Sequence, residues 1–268
     1  MSLEVRVAEC LASGDPVETE RTFNALVDAL NRGQIRAASR QDDGMWQTHA
    51  WVKQGLLMGF RLGRLTAAGH DRAPFFDKHT FPLKSLRLED RVRLVPGGSA
   101  IRTGSYVAPG VICMPPMYIN TGAYVDEGTM IDSHALVGSC AQIGKRVHLS
   151  AAAQVGGVLE PAGALPVIVE DDVFVGGGCG LYEGVVVRTG AVLAPDVTLT
   201  GSTRIYDLVN ECILSSREVP ARAVVVPGAR AVTSSFGRSQ GLSLYTPVIV
   251  KYRDAKTDAA TVLEDALR

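Results

Sequence analysis

Two side chains able to move protons lie close together in the run GTMIDSHA: Asp132 and, two residues on, His134. A carboxylate can steady an ammonium or take up its proton, and a neutral imidazole abstracts protons near pH 7. Asp132 directly follows apolar Ile131, so whatever core Ile131 enters, Asp132 points away from it. It is then either an acid in a cleft or a solvated turn carboxylate of the kind Asp126 offers. The cysteines, Cys10, Cys113, Cys140, Cys179 and Cys212, form no CxxC pair, which predicts reduced thiols and no structural zinc. Neither a Walker-type loop nor a dinucleotide fingerprint occurs.

The element that carries these residues is written in a six-residue beat. Ile101, Val107, Cys113, Ile119, Val125, Ile131, Val137, Ile143, Leu149 and Val155 keep it, and Val169, Val175, Leu181, Val187, Leu193, Leu199 and Ile205 resume it. Neither an amphipathic helix nor an alternating hairpin strand has that period. It is the period of a parallel β-helix built from hexapeptide repeats. Four residues after most beat positions comes a small or branched side chain: Ser105, Ala123, Thr129, Ala135, Ala141, Ala153, Val185, Ala191 and Val197. The expected cross-section is a triangle of three hexapeptides, with the beat residues inside and the small ones at the corners. Between Val155 and Val169 the segment GGVLEPAGALPVIVEDD breaks the count, so part of it must leave the coil. It is either a tolerated surface insertion or a loop against which a partner subunit or cofactor arm lies.

At 268 residues, 46% apolar and a formal charge of −1, the chain can bury a real core and has no general field to draw nucleic acid or a membrane surface. No basic opening leads into a long apolar run, which predicts a cytoplasmic protein without export or membrane insertion. Three regions are expected. Residues 1–85 form a helical α/β region in which VRVAECLAS, ETERTFNALVDALNRG and THAWVKQGLLMGFRLG read as helices and IRAASR as a strand. Trp51, Leu56, Leu57, Phe60 and Leu62 are the expected buried face of the third helix. Residues 86–210 form the solenoid. Residues 211–268 form a cap of strands ending in a helix near Asp258 to Leu267, because terminal coils expose unpaired backbone and apolar surface.

The strings between the beats are more specific. YINTGAYVDEGTMIDSHALVGSCAQIGKRVHLS, VGGVLEP and IVEDDVFVG, together with WVKQGLLMGFR, RLVPGGSAIRTG, GSTRIYD and SLYTPVIVKYRDAKT, resemble the tetrahydrodipicolinate N-succinyltransferases, in order and over most of the chain. That resemblance implies a mainly β fold: a left-handed parallel β-helix with an N-terminal α/β cap domain and a small C-terminal extension. It also implies a homotrimer with active sites between subunits, and acyl transfer from acyl-CoA to the amino group of a tetrahydrodipicolinate or 2-amino-6-oxopimelate-like substrate, without a metal. It assigns Asp132 to the amino-acid end of the substrate and to the amine proton. Arg93, with Arg91 as competitor, is assigned to a substrate carboxylate, which a guanidinium fork holds through two parallel hydrogen bonds. Ser139 lies in the matched run VGSCAQIGK, where backbone geometry is the main contribution. CoA is expected beside the later coils, where Gly177, Gly178 and Ala194 allow close approach and Arg230 or Lys251 meets phosphates. Direct transfer needs no covalent intermediate on Cys140.

Two departures from the family pattern stand out. His134 replaces a larger residue, and its readings are a general base, a residue shaping the substrate pocket, or packing. In VFVGGGCGLYEGVVV, Gly178 and Gly180 stand where typical members carry an arginine and a glutamate, while Glu183 matches a later family glutamate on a different face of the coil. These losses predict an enlarged cavity and a specialised paralogue of the tabtoxin-biosynthesis type, using acetyl-CoA in place of succinyl-CoA. The alternatives are an ordinary succinyltransferase of lysine and diaminopimelate synthesis, or a non-catalytic trimer that binds CoA or an amino acid.

Overall fold

The computed structural model describes residues 1–69, 75–214 and 217–254; the terminal helix expected near Asp258 to Leu267 lies outside them. The beat becomes three parallel sheets wound by one chain. Each two-residue strand pairs with the third strand after it: Val107 beside Val125, Val125 beside Ile143, Ile131 beside Leu149, Val137 beside Val155. Three hexads therefore make one coil, and the ladders form two sheets of six strands and one of ten. Every beat position is buried, as are the small residues four places on. Polar members of that inner set are satisfied locally: Ser105 Oγ donates to the Arg102 carbonyl at 2.6 Å and Thr129 Oγ1 to the Gly144 carbonyl at 2.8 Å.

Both interruptions have a simple geometry. Ile143 pairs directly with Val169, so the chain from Gly156 to Pro166 bulges out of the coil and returns without disturbing the ladder. After Leu199 a hairpin intervenes: Ile205–Asp207 pairs antiparallel with Cys212–Leu214 and parallel with the C-terminal strand Ser243–Tyr252. Ile205, last on the beat, has thus left the coil ladder although it remains buried. The coil then resumes with Val219 beside Val187 and Val225 beside Leu193, two rungs within 211–268 that the hairpin throws out of phase.

The N-terminal part supplies the helices α1 (Leu3–Ser13), α2 (Pro16–Asn31) and α3 (Ala50–Leu62). Asp15 caps α2, accepting from the Val17 N–H at 2.9 Å, and Pro16 opens its first turn. The buried stripe of α3 matches the expected one only in part, at Leu56. Val52, Leu56 and Met58 are buried with Lys53, Gly55 and Gly59, while Trp51, Leu57, Phe60 and Leu62 are only half-buried. The glycines set that rotation: a Cβ at Gly55 would meet Leu26 Cδ2 at 2.5 Å and one at Gly59 would meet Phe23 Cε2 at 2.0 Å, so α2 sits directly on them. Among the described residues no helix is long and apolar enough to cross a membrane.

This part covers one outer face of the coil, the sheet whose outward positions are Tyr106, Tyr124, Gln142, Ile168 and Val186. Arg36 lies over the Tyr124 ring at 3.7 Å and donates to Gln142 Oε1 at 2.9 Å. Trp46 Nε1 donates to Glu170 Oε1 at 2.9 Å, and Arg188 bridges Glu170 and Glu218 at 2.9 and 2.8 Å. Thr189 gives both its N–H and its hydroxyl to Glu170 Oε2 at 3.0 Å. Burial alone would push the Glu170 carboxyl up, but these donors outweigh it and hold it below its ordinary value of 4.5.

Glu170→Gln turns an NH2 toward the Thr189 donors and removes the charge facing Arg188. Equilibrium urea unfolding at pH 7 is expected to show a loss of about 3 kcal/mol. Because the folded-state value is lowered, the Glu170 contribution is complete above pH 4.5 and fades as pH falls through the lowered value. The gap between wild type and variant should therefore narrow in acid; a gap independent of pH would contradict the assignment.

Candidate active site

One edge of the coil collects most of the residues singled out in the sequence. Asp132, Ser150, Gly176 and Ala194 are successive rungs of one column, shown by bonds from Asp132 N to Leu149 O, Ser150 N to Val175 O, Gly176 N to Leu193 O and Ala194 N to Val225 O. Beside it runs a column of left-handed corners: His134 (φ 63°), Ala152 (60°), Gly178 (72°) and Asp196 (65°). Gly177 lies between the two. The edge thus carries a half-buried carboxylate at Asp132 and an exposed imidazole at His134, with nearly side-chain-free backbone at Gly176, Gly177 and Gly178. Asp132 Oδ1 accepts from the Ser133 N–H at 2.7 Å, and no other donor among the described residues meets the carboxylate. Gln154, on the adjoining sheet, braces the corner by donating to the His134 and Ala152 carbonyls, both at 3.1 Å.

Arg93 is exposed on the sheet that ends at this edge; it pairs with Ile112, which pairs with Met130. That is two ladder steps, about 10 Å, from the level of Asp132. Arg91 occupies a left-handed corner (φ 52°) across that sheet, where its carbonyl accepts from the Gly110 N–H. The geometry thus favours Arg93 over Arg91 as a neighbour of the edge. Lys251 lies at the other end of the same sheet, beside Val224, and pairs with Asp254 at 3.6 Å. Arg230 is opposite Leu244, six residues and about 20 Å along the hairpin. The two cations are not brought together. Ser139 belongs to the next corner, where its carbonyl accepts from the Val158 N–H of the extruded loop.

That second corner holds a cleft of about 580 Å³. Val158, Pro161, Ala164 and Leu165 from the loop wall it on one side, and Tyr182, Glu183, Thr200 and Arg217 on the other. Arg217 Nη1 donates to the Glu183 carbonyl at 3.1 Å, and Glu183 Oε2 accepts from the Gly201 N–H at 2.9 Å. The space expected to open at Gly180 is occupied. A Cβ at Gly180 would meet the Tyr182 ring at 2.6 Å, and one at Gly156 would meet its Cδ1 at 2.6 Å. The ring lies across both glycines and fills the space. A Cβ at Gly178 would meet Asp196 Oδ1 at 2.5 Å. The broken beat signalled the loop, but nothing in the spacing pointed to Tyr182 or Arg217 as its opposite wall.

The cysteines near these corners are poor nucleophiles. Burial pushes the Cys140 thiol up to about 12, and Cys179, whose thiol donates to the Ala194 carbonyl at 3.1 Å, up to about 11. Among the described residues no three His, Cys, Asp or Glu side chains gather as a metal site would require.

Comparison with known proteins gives three findings. The family model described as "Tetrahydrodipicolinate N-succinyltransferase N-terminal" matches residues 4–62. A 2,3,4,5-tetrahydropyridine-2,6-dicarboxylate N-succinyltransferase from Maricaulis maris is 47% identical over 95% of this chain and 94% of its own. One from Albidiferax ferrireducens is 42% identical over 97% of this chain and 94% of its own.

Two glycine substitutions test the geometry of the two corners. At Gly180 only the exposed Tyr182 ring must swing aside, whereas a Cβ at Gly176 would meet backbone, Pro195 N at 2.6 Å and Ala194 C at 2.7 Å. Gly180→Ala is expected to cost less than about 1 kcal/mol and Gly176→Ala about 3 kcal/mol in urea unfolding. Equal costs would contradict the placement of the ring.

Proposed function

The chain belongs to the tetrahydrodipicolinate N-succinyltransferase family and is an acyl-CoA-dependent N-acyltransferase, and we propose that it is an ordinary member, transferring succinyl from succinyl-CoA to the amino group that tetrahydrodipicolinate gains when water opens it to 2-amino-6-oxopimelate. The specialised paralogue using acetyl-CoA, expected from Gly178 and Gly180, is the weaker reading on two counts. Relatives at 47% and 42% identity along nearly the whole chain are named as succinyltransferases. Of the two losses behind that expectation, the one at Gly180 is covered by the Tyr182 ring, and at Gly178 the neighbour is the Asp196 carboxylate.

In the proposed mechanism the substrate amine hydrogen-bonds to Asp132, whose half-buried carboxylate is free of side-chain donors among the described residues. Attack forms the C–N bond at the thioester carbonyl, backbone N–H groups receive the developing oxyanion, and the C–S bond then breaks. The amine proton passes to Asp132 and the thiolate leaves to be protonated as CoA. Arg93 holds a substrate carboxylate; Gly177, Gly178 and Ala194 let the CoA arm approach backbone, with Arg230 or Lys251 at its phosphates. His134, exposed at its corner, shapes the pocket or assists proton transfer.

We take the coil to be left-handed, as the family resemblance implies, with 1–85 as an α/β cap, the coils from 86 as the catalytic body and the C-terminal segment as a second cap. The working form would be a cytoplasmic homotrimer with sites between subunits. Supporting it, among the described residues the two sheets that meet at the Asp132 edge lack the helical cover of the third and carry half-exposed apolar side chains outward: Ile112, Met130, Phe174 and Val192 on one, Tyr118 and Leu136 on the other. Apolar columns of this kind suit subunit contact.

The observation that carries the proposal is the Asp132 edge in a chain so closely similar to succinyltransferases. Thiol release from succinyl-CoA with tetrahydrodipicolinate or 2-aminopimelate is the test. Succinyl-CoA should exceed acetyl-CoA in kcat/KM by about tenfold or more, and Asp132→Asn should lower kcat by roughly 10²- to 10⁴-fold. Equal or better use of acetyl-CoA would restore the specialised paralogue; silence with every donor and acceptor, despite CoA binding, would favour the non-catalytic trimer.

A further inference from the structure

The segment WVKQGLLMGFR buries a lysine that no catalytic step uses. Lys53 sits within the packed stripe of α3 with 0% exposure. Its hydrogen-bond partner among the described residues is the Ala164 carbonyl, at 2.5 Å, in the loop extruded from the coil. Thr48 Oγ1 meets the same carbonyl at 3.5 Å. Burying an ammonium against one neutral acceptor is costly, and an unbranched apolar side chain would fill the same space more cheaply. Stability alone therefore does not explain a lysine here.

Ala164 and its neighbour Leu165 wall the cleft opposite Tyr182 and Glu183. The near limb of the loop is tied to the coil by the Val158 N–H to Ser139 O bond, and the Ala164 N–H turns back to Pro161 O. The far limb reaches the helical layer through Lys53. We propose that Lys53 is a positioning residue: its Nζ pins the Ala164 carbonyl and so fixes the loop wall of the second-corner cleft opposite Tyr182 and Glu183. The inference adds a link from α3 to the cleft. Burial lowers the Lys53 pKa, yet an amine keeps an N–H for Ala164 in either protonation state, so the tether is not a pH switch.

The test is Lys53→Met in the full-length protein, a substitution of similar length without donor or charge. Melting temperature is expected to stay or rise, because the desolvated charge is gone. Amide exchange over 157–165, followed by mass spectrometry, should speed up about tenfold while α3 and the coil strands keep their protection. Lys53→Gln, which retains an N–H donor, should recover part of the loop protection. Unchanged loop exchange would overturn the proposal. So would a fall in melting temperature with faster exchange throughout α3, since that marks a purely structural lysine. If the wild type releases no thiol from any donor, the acyltransferase reading fails by itself, and loop exchange still decides whether Lys53 holds the wall.

Discussion

The inside of a triangular coil accepts one apolar side chain per strand, stacked on its neighbours in the coils before and after. In this chain that position falls at every sixth residue, and each such residue is buried. The stack sets the register of the ladders, and the ladders set which residues share an edge. Asp132, Gly176 and Ala194 come into one column because Ile131, Val175 and Leu193 are stacked inside. A shift of one residue in that stack would turn Asp132 inward and Ile131 out. The candidate chemistry therefore depends on packing that has no chemistry in it.

The stack also explains how the scaffold accepts irregular pieces. Interior contacts pass from strand to strand across a coil, so the chain can leave at Gly156 and return at Val167 while Ile143 still meets Val169. The hairpin after Leu199 is tolerated in the same way, with Val219 taking its place beside Val187. Both excursions leave at the corner column that in other coils carries the positive-φ residues Gly104, Gly122, Cys140 and Gly184. The loop builds the cleft, and the helical layer, laid on one face through Arg36, Trp46 and Lys53, reaches over to brace it. Among the described residues that layer does not extend over the other two sheets, on either side of Asp132.

Much of this was legible in the sequence because the beat has a unique physical meaning. Strand positions, the buried small residues, the extruded segment and the outward sense of Asp132 all followed from it. Three things did not. The buried face of α3 was misjudged because Gly55 and Gly59 carry no apolar signal, yet their smallness admits Leu26 and Phe23. The loss of side chains at Gly178 and Gly180 suggested a hole, but neighbouring side chains decide whether space is empty: Tyr182 lies across Gly180, and Asp196 stands beside Gly178. The rungs at Val219 and Val225 were hidden because the hairpin shifts their phase, which only the pairing of strands reveals.

The central claim is that Asp132, on the edge built by this stack, receives the substrate amine. A crystal structure with CoA and 2-aminopimelate bound tests it most directly. The predicted result is the ligand amine within about 2.6–3.2 Å of an Asp132 carboxylate oxygen, with the CoA arm passing the glycines at 176–178. Both ligands ordered elsewhere, with Asp132 facing only solvent, would contradict the account.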